Sequence, residues 1–228
     1  MRILVTNDDG IRAPGIAALA EALEVLGDVE VVAPSEGQSG AGHGITFLRP
    51  LMAERVSMGE ARRGWSVDGT PADCVKLGVH ELLSSRPDLV VSGINAGANR
   101  GVDVLYSGIV AAAAEAALLG IPSIAVSLEA SPSFDFASAG AWALRVLSPV
   151  LPVGIPKGQM LNINVPAASR VTPRGIRLVP QGLVPWEDSY HCRQDPRGRN
   201  YYWLNGAVPG SADSNPTDLQ ALEYGWVT

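Results

Sequence analysis

The sequence predicts a doubly wound α/β fold, and three observations carry that prediction. Short apolar runs of β-forming residues alternate with stretches whose apolar positions recur at helical spacing. Each apolar run ends in a polar or glycine-rich turn, as buried parallel strands do. The chain has 228 residues, 46% hydrophobic and 18% charged, which suits one large α/β core and lies far from disordered or disulfide-dense compositions.

In order along the chain, Ile3 to Thr6 is a short apolar run that leads at once into Asn7-Asp8-Asp9-Gly10. Ile16, Leu19, Leu23 and Leu26 then recur at helical spacing behind Pro14-Gly15. Gly27-Asp28 closes that helix, and Val29 to Ala33 forms a second strand ending at Pro34. Such a β-α-β unit implies a parallel sheet with a right-handed crossover. Asp73 to Leu83 reads as helical, and Asp88 to Ser92 as a strand that runs into the glycine-rich loop Gly93 to Asn99. Ser107-Gly108 opens an alanine-dense helix to Leu119, stopped by Gly120; Pro122 to Leu128 is the next strand. A helix around Ala137 to Leu147 and a strand at Leu161 to Val165 complete the alternation.

After about Pro166 the texture changes. Arg177 to Pro180 reads as one more strand, whereas Pro185 to Pro216 is aromatic, charged and turn-rich. The expected organisation is therefore one domain, with a core over residues 1–170 and a β-hairpin or arm extension over 171–228. The last residues, Val227-Thr228, read as part of a strand, which implies a natural tail beyond them.

Charge and cysteine usage narrow the function classes. With 23 acidic against 17 basic residues the net charge is −6, which argues against a broad face for duplex nucleic acid but not against a small phosphorylated ligand. The longest apolar run, Val110 to Leu119, is interrupted by Glu115 and is too short to span a bilayer. Asp8 and Asp9 fall where a secretory signal needs an apolar stretch. Cys74 and Cys192 make neither a disulfide framework nor a zinc spacing. A soluble, cytoplasmic protein with no membrane partner is expected.

Ligands of open parallel sheets collect beyond the carboxyl ends of the strands. The first strand delivers Asn7, Asp8 and Asp9 there, the second Ser35 and Ser39, and the strand ending at Ser92 delivers Asn95 and Asn99. Adjacent carboxylates at a buried strand end repel unless a cation or proton neutralises them. Alone, the pair reads equally as a cation site and as a plain loop in which Asp8 caps the following helix and Asp9-Gly10 is a turn. With the Ser39 hydroxyl and the Asn95 carbonyl it becomes an all-oxygen set, which suits Mg²⁺ or Mn²⁺ rather than Zn²⁺.

Around that set lie the candidates for phosphate. Gly93, Asn95, Gly97 and Asn99 can turn successive N–H groups toward one point, and Ser107-Gly108 starts a helix whose free N–H groups favour an anion. Gly40 and His43 sit in a flexible loop beside Ser39, where His43 can touch substrate or act as an acid.

These residues resemble a known family. Val5-Thr6-Asn7-Asp8-Asp9-Gly10, Ala33-Pro34 with Gln38-Ser39-Gly40, Asp68 to Val75, Ser92 to Asn99, Tyr106-Ser107-Gly108, Leu161 to Pro166 and Asp195 to Arg199 are similar, in that order, to the SurE family of survival-protein nucleotidases. The resemblance implies a Rossmann-like three-layer α/β/α core and a metal-dependent phosphomonoesterase acting on nucleoside 5′- and 3′-monophosphates, in some members also on short polyphosphate. It implies one Mg²⁺ or Mn²⁺ per subunit on Asp8, Asp9, Ser39 and Asn95, and homodimers or homotetramers built by exchange of C-terminal arms. Two departures stand out. Ile109 replaces the usual Thr after Ser107-Gly108, and Pro216 replaces the Gly of Gly-Thr-Asp.

Two rival readings share parts of this pattern. A phospho-acceptor signalling module also places an acidic pair after its first strand, but it needs an acceptor Asp where this chain has Ser92-Gly93. A non-catalytic nucleotide-binding protein would keep the phosphate nest without needing the Asp pair.

Overall fold

The computed structural model describes residues 1–59, 62–207 and 216–228. Nine strands and five α-helices are found among them: β1 (Arg2–Thr6), α1 (Pro14–Leu23), β2 (Asp28–Pro34), β3 (Ala53–Ser57), β4 (Arg63–Val67), α2 (Pro71–Leu77), β5 (Leu89–Ala96), α3 (Gly108–Leu118), β6 (Ser123–Leu128), α4 (Phe136–Val153), β7 (Met160–Val165), β8 (Glu187–Gln194), β9 (Asn200–Ala207) and α5 (Asp218–Glu223). The central sheet has the order β3-β4-β2-β1-β5-β6-β7. Its strands are parallel except for β3, which runs antiparallel to β4 at the edge.

Strand β1 shows why the sheet sits in the middle layer. Alternate side chains of a strand point to opposite faces. Ile3 and Val5 join one apolar cluster with Ile16, Leu19 and Leu23 of α1 and Leu147 of α4. Leu4 joins another with Val75 of α2 and Ala112 and Ala116 of α3. Burying each Val, Leu or Ile side chain among these contributes about 1.5–3 kcal/mol. Both faces are covered, which makes a three-layer α/β/α core.

Local chemistry starts the helices where expected. Pro14 takes the first position of α1. Thr70 and Asp73 cap α2 reciprocally, Ser107 caps α3 through the Val110 N–H at 3.2 Å, and Asp135 caps α4 through the Ser138 N–H at 2.9 Å. Helix α4 runs through Pro149 and Pro152 to Val153, further than its apolar spacing indicates. At 18 residues it is long and apolar enough to cross a membrane, yet Ala139, Gly140, Ala143 and Leu147 are buried as one face in this fold.

Several expectations are corrected. The Asp73 to Leu83 helix is α2 followed by a wider π turn over Gly78–Leu82. Strand β5 continues through Gly93 to Ala96 with a register break between Ser92 and Asn95, so half of the expected loop is sheet. A Cβ at Gly93 would lie 2.4 Å from the Val126 carbonyl oxygen, so only glycine fits there. Instead of a strand at Arg177 to Pro180 there is an isolated bridge between Ile176 and Val227. Strands β3 and β4 and helix α5 were not expected at all. The arm itself is present: β8 and β9 form an antiparallel hairpin, and β8 is exposed along its whole length. Residues 208–215 of the expected appendage lie outside the described residues.

Candidate active site

Because β2, β1 and β5 are adjacent and parallel, their carboxyl ends open on one edge. The turn after β1 is built by Asn7, which is fully buried and donates from Nδ2 to the Gly10 carbonyl at 2.9 Å. That bond closes the turn and sets Asp8 and Asp9 on it. The loop after β2 is tied to the same turn, since the Gln38 N–H donates to the Asp8 carbonyl at 2.7 Å. Ser39, the next residue, is exposed beside it. After β5, Asn95 Nδ2 donates to the Gly97 carbonyl at 2.7 Å, which leaves the amide oxygen for another partner.

The electrostatics of the pair are unbalanced in the protein alone. Asp8 is nearly inaccessible, and its Oδ1 is buried with no hydrogen-bond partner among the described residues; Asn7 Oδ1 is orphaned as well. Burial, then repulsion from Asp9, pushes the Asp8 carboxyl up to about 6. Backbone N–H groups of Asp8 itself, Ile109 and Gly108 oppose that rise. Burial also raises Asp9, against the Ala96 N–H. A buried, unpartnered carboxylate oxygen is costly to leave unmatched. Two carboxylates with nearby hydroxyl and amide oxygens fit a hard divalent cation.

Helix α3 forms the opposite wall. A Cβ on Gly108 would fall 2.8 Å from Asp8 Cβ and 3.0 Å from Pro71 Cγ, so glycine is what lets the helix start reach the carboxylate. The Ile109 side chain is fully buried against Ala113 and Ala125. The site therefore receives from this position a backbone N–H, and the lost Thr hydroxyl leaves an apolar side chain in the core.

Four further contacts were missed in the sequence. Glu115 on α3 is buried and holds two partners, His43 Nε2 at 2.8 Å from Oε2 and Lys76 Nζ at 3.0 Å from Oε1. Asp73 accepts the Thr46 N–H at 2.9 Å, and the Thr70 hydroxyl donates to the Gly44 carbonyl at 2.8 Å. Together they pin the loop that carries Ser39, Gly40 and His43. The only signal in the sequence was one acid inside an apolar helix, and it does not name its partners.

The remaining candidates fall into two groups. Gly97 and Gly40 lie in the loops after β5 and β2, with Gly40 facing open space. Asn99 is drawn inward instead: its Nδ2 donates to Ser127 Oγ at 2.8 Å, and its backbone N–H donates to Asn164 Oδ1 at 2.8 Å. Asn162 and Asn164 in turn donate to its carbonyl. The Asn7 and Asn99 Nδ2 atoms thus both serve as braces under the site, while Asn7 Oδ1 stays unpartnered among the described residues. Asp218, whose family turn begins here with Pro216, accepts the Gly101 and Gly182 N–H groups at 2.8 and 2.7 Å. That ties α5 to the segment leading into α3.

The chain is similar to known proteins along its whole length. The family model described as "Survival protein SurE" matches residues 3–188. The chain is 47% identical over 229 residues to the 5′-nucleotidase SurE of Rhodopirellula baltica, covering 100% of this chain and 90% of that one. It is 50% identical over 232 residues to 5′-nucleotidase SurE 1 of Thermus thermophilus, again covering 100% and 90%. The crystal structure of the SurE protein from Aquifex aeolicus superposes with a TM-score of 0.84 at 40% identity, covering 100% of this chain and 91% of that one.

Proposed function

The chain belongs to the SurE family of survival proteins, and on that premise we propose that it is a metal-dependent phosphomonoesterase that releases phosphate from nucleoside 5′- and 3′-monophosphates, and from short polyphosphate. The observation that carries this reading is the Asp8-Asp9 pair, with one buried carboxylate oxygen unpartnered, set against the start of α3. Asp8, Asp9, Ser39 and Asn95 would hold one Mg²⁺ or Mn²⁺. When bound, such an ion neutralises phosphoryl charge and orients the ester for in-line displacement.

The chain's own groups do the rest. Backbone N–H groups of the Gly97 loop bind the phosphoryl oxygens, while those of Gly108 and Ile109 at the start of α3 hold the Asp8 carboxyl. Asp9, in the turn after β1, orients the attacking water and takes up its proton. The new P–O bond forms from that water as the ester P–O bond breaks, and the leaving nucleoside oxygen takes up a proton from solvent. His43, held through Nε2 by Glu115, keeps its other ring nitrogen available beside the loop.

The test is phosphate release from nucleoside monophosphates by the purified chain, with Mn²⁺ or Mg²⁺ and after exhaustive chelation. Release only with metal is expected. Full activity without it, or none on any nucleoside monophosphate with it, would overturn the reading.

Assembly belongs to the same reading. Tyr190, Tyr202, Trp203 and Leu204 of the hairpin are all more than half exposed, and a two-stranded hairpin cannot bury them by itself. A second copy exchanging matching arms covers them in a closed homodimer, or in a homotetramer of two such pairs. Light scattering should give a dimer or larger at micromolar concentration; a monomer would refute arm exchange.

A further inference from the structure

Beside Asp9, on the side of the sheet covered by α1 and α4, lies a cleft of about 500 Å³. That is within the range of small-ligand pockets. Its walls include Asp9 and Ser35 from the strand ends, Arg12 and Ala13 ahead of α1, and Phe134 and Phe136 at the start of α4. The two rings are stacked, with centroids 5.4 Å apart and planes 7° from parallel. Phe136 is packed against the core, whereas Phe134 stays 38% exposed. Asp135, between them, is fixed as the cap of α4. Arg12 is exposed and has no ion-pair partner among the described residues.

We infer that this cleft is the nucleobase subsite, with a purine or pyrimidine ring stacking on Phe134 and Arg12 covering its edge or face. This rests on the nucleotidase reading and adds to it the place where the nucleoside is recognised. A backed aromatic face, open on one side and contiguous with a phosphate-handling carboxylate, is the surface a nucleobase needs, and stacking accepts any base. The planar guanidinium of Arg12 adds stacking or edge hydrogen bonds. A second cleft of about 520 Å³ touches the site through His43 and Ser107, but Val104, Leu105 and Leu178 line it and no Phe, Tyr or Trp does among the described residues. It offers a base no flat face. Tyr106, exposed beside Ser107, is the competing aromatic.

The experiment compares kcat/KM for adenosine monophosphate with that for ribose 5-phosphate, which lacks the base. Phe134→Ala should lower the ratio about tenfold, the scale of one lost base–aromatic stack, while Phe134→Trp should preserve it. Adenosine, with no phosphate and no metal added, should quench additional fluorescence in Phe134→Trp relative to the parent chain. An unchanged ratio in Phe134→Ala, or a ratio that falls in Tyr106→Ala instead, would overturn the assignment. If neither phosphate ester is hydrolysed, the nucleotidase reading fails. The fluorescence titration still decides the subsite: quenching supports it, and none refutes it.

Discussion

Asp8→Asn is expected to lower kcat by about three orders of magnitude, equivalent to about 4 kcal/mol of transition-state stabilisation, while raising the melting temperature of the metal-free protein. The two effects have one cause. Asp8 is a buried charge that the chain alone does not satisfy, since one of its oxygens has no partner and Asp9 repels it. Asparagine keeps the shape, removes the charge that the cation needs, and relieves the repulsion. Asp9→Asn should lower kcat comparably, with a smaller gain in stability because Asp9 is more exposed. Steady-state kinetics and calorimetric melting of both variants check this. Turnover within tenfold of the parent would remove that carboxylate from the proposed ligand set.

Metal affinity should rise steeply with pH up to about 6 and level off above it. A proton on Asp8 competes with the cation, so each pH unit below about 6 weakens binding by up to tenfold. The sign for stability without metal is opposite. Between the ordinary value of 3.8 and about 6, the folded chain keeps a proton on Asp8 that the unfolded chain has released. Asp8 therefore favours folding most below pH 4, and that contribution is lost as pH rises through this window, by roughly 3 kcal/mol in all. Mn²⁺ titrations at pH 5, 6 and 7, together with melting of the parent against Asp8→Asn, resolve both trends. An affinity that stays flat from pH 5 to 7 would mean that no such proton is displaced.

How much of the site could be read from the sequence depended on how far apart its partners lie. Asn7-Asp8-Asp9-Gly10 was readable because a buried strand and the turn that ends it are both local, and the structure places that turn at the carboxyl end of β1. Ser107 at the start of α3 was readable for the same reason. Strands β3 and β4 were not. Ala53-Glu54-Arg55-Val56-Ser57 is an exposed edge strand, and its polar residues hide the apolar run by which the inner strands are recognised. The strand ends and the family resemblance pointed to the same ligand set, without saying what braces it.

By itself the sequence determined the alternation of strands and helices, hence a parallel sheet, and the polar residues that its strand ends present on one edge. Both follow from periodicity and turn chemistry acting over a few residues. Only the tertiary structure decided which polar groups stay open. Asn99 is consumed by Ser127 and Asn164, 28 and 65 residues away, and Glu115 by His43 and Lys76, 72 and 39 residues away. The charge state of Asp8 was decided in the same way. An aspartate in a turn is ordinary until a helix that starts 100 positions later in the chain packs against it, because desolvation depends on everything that surrounds a group and not on its neighbours in sequence.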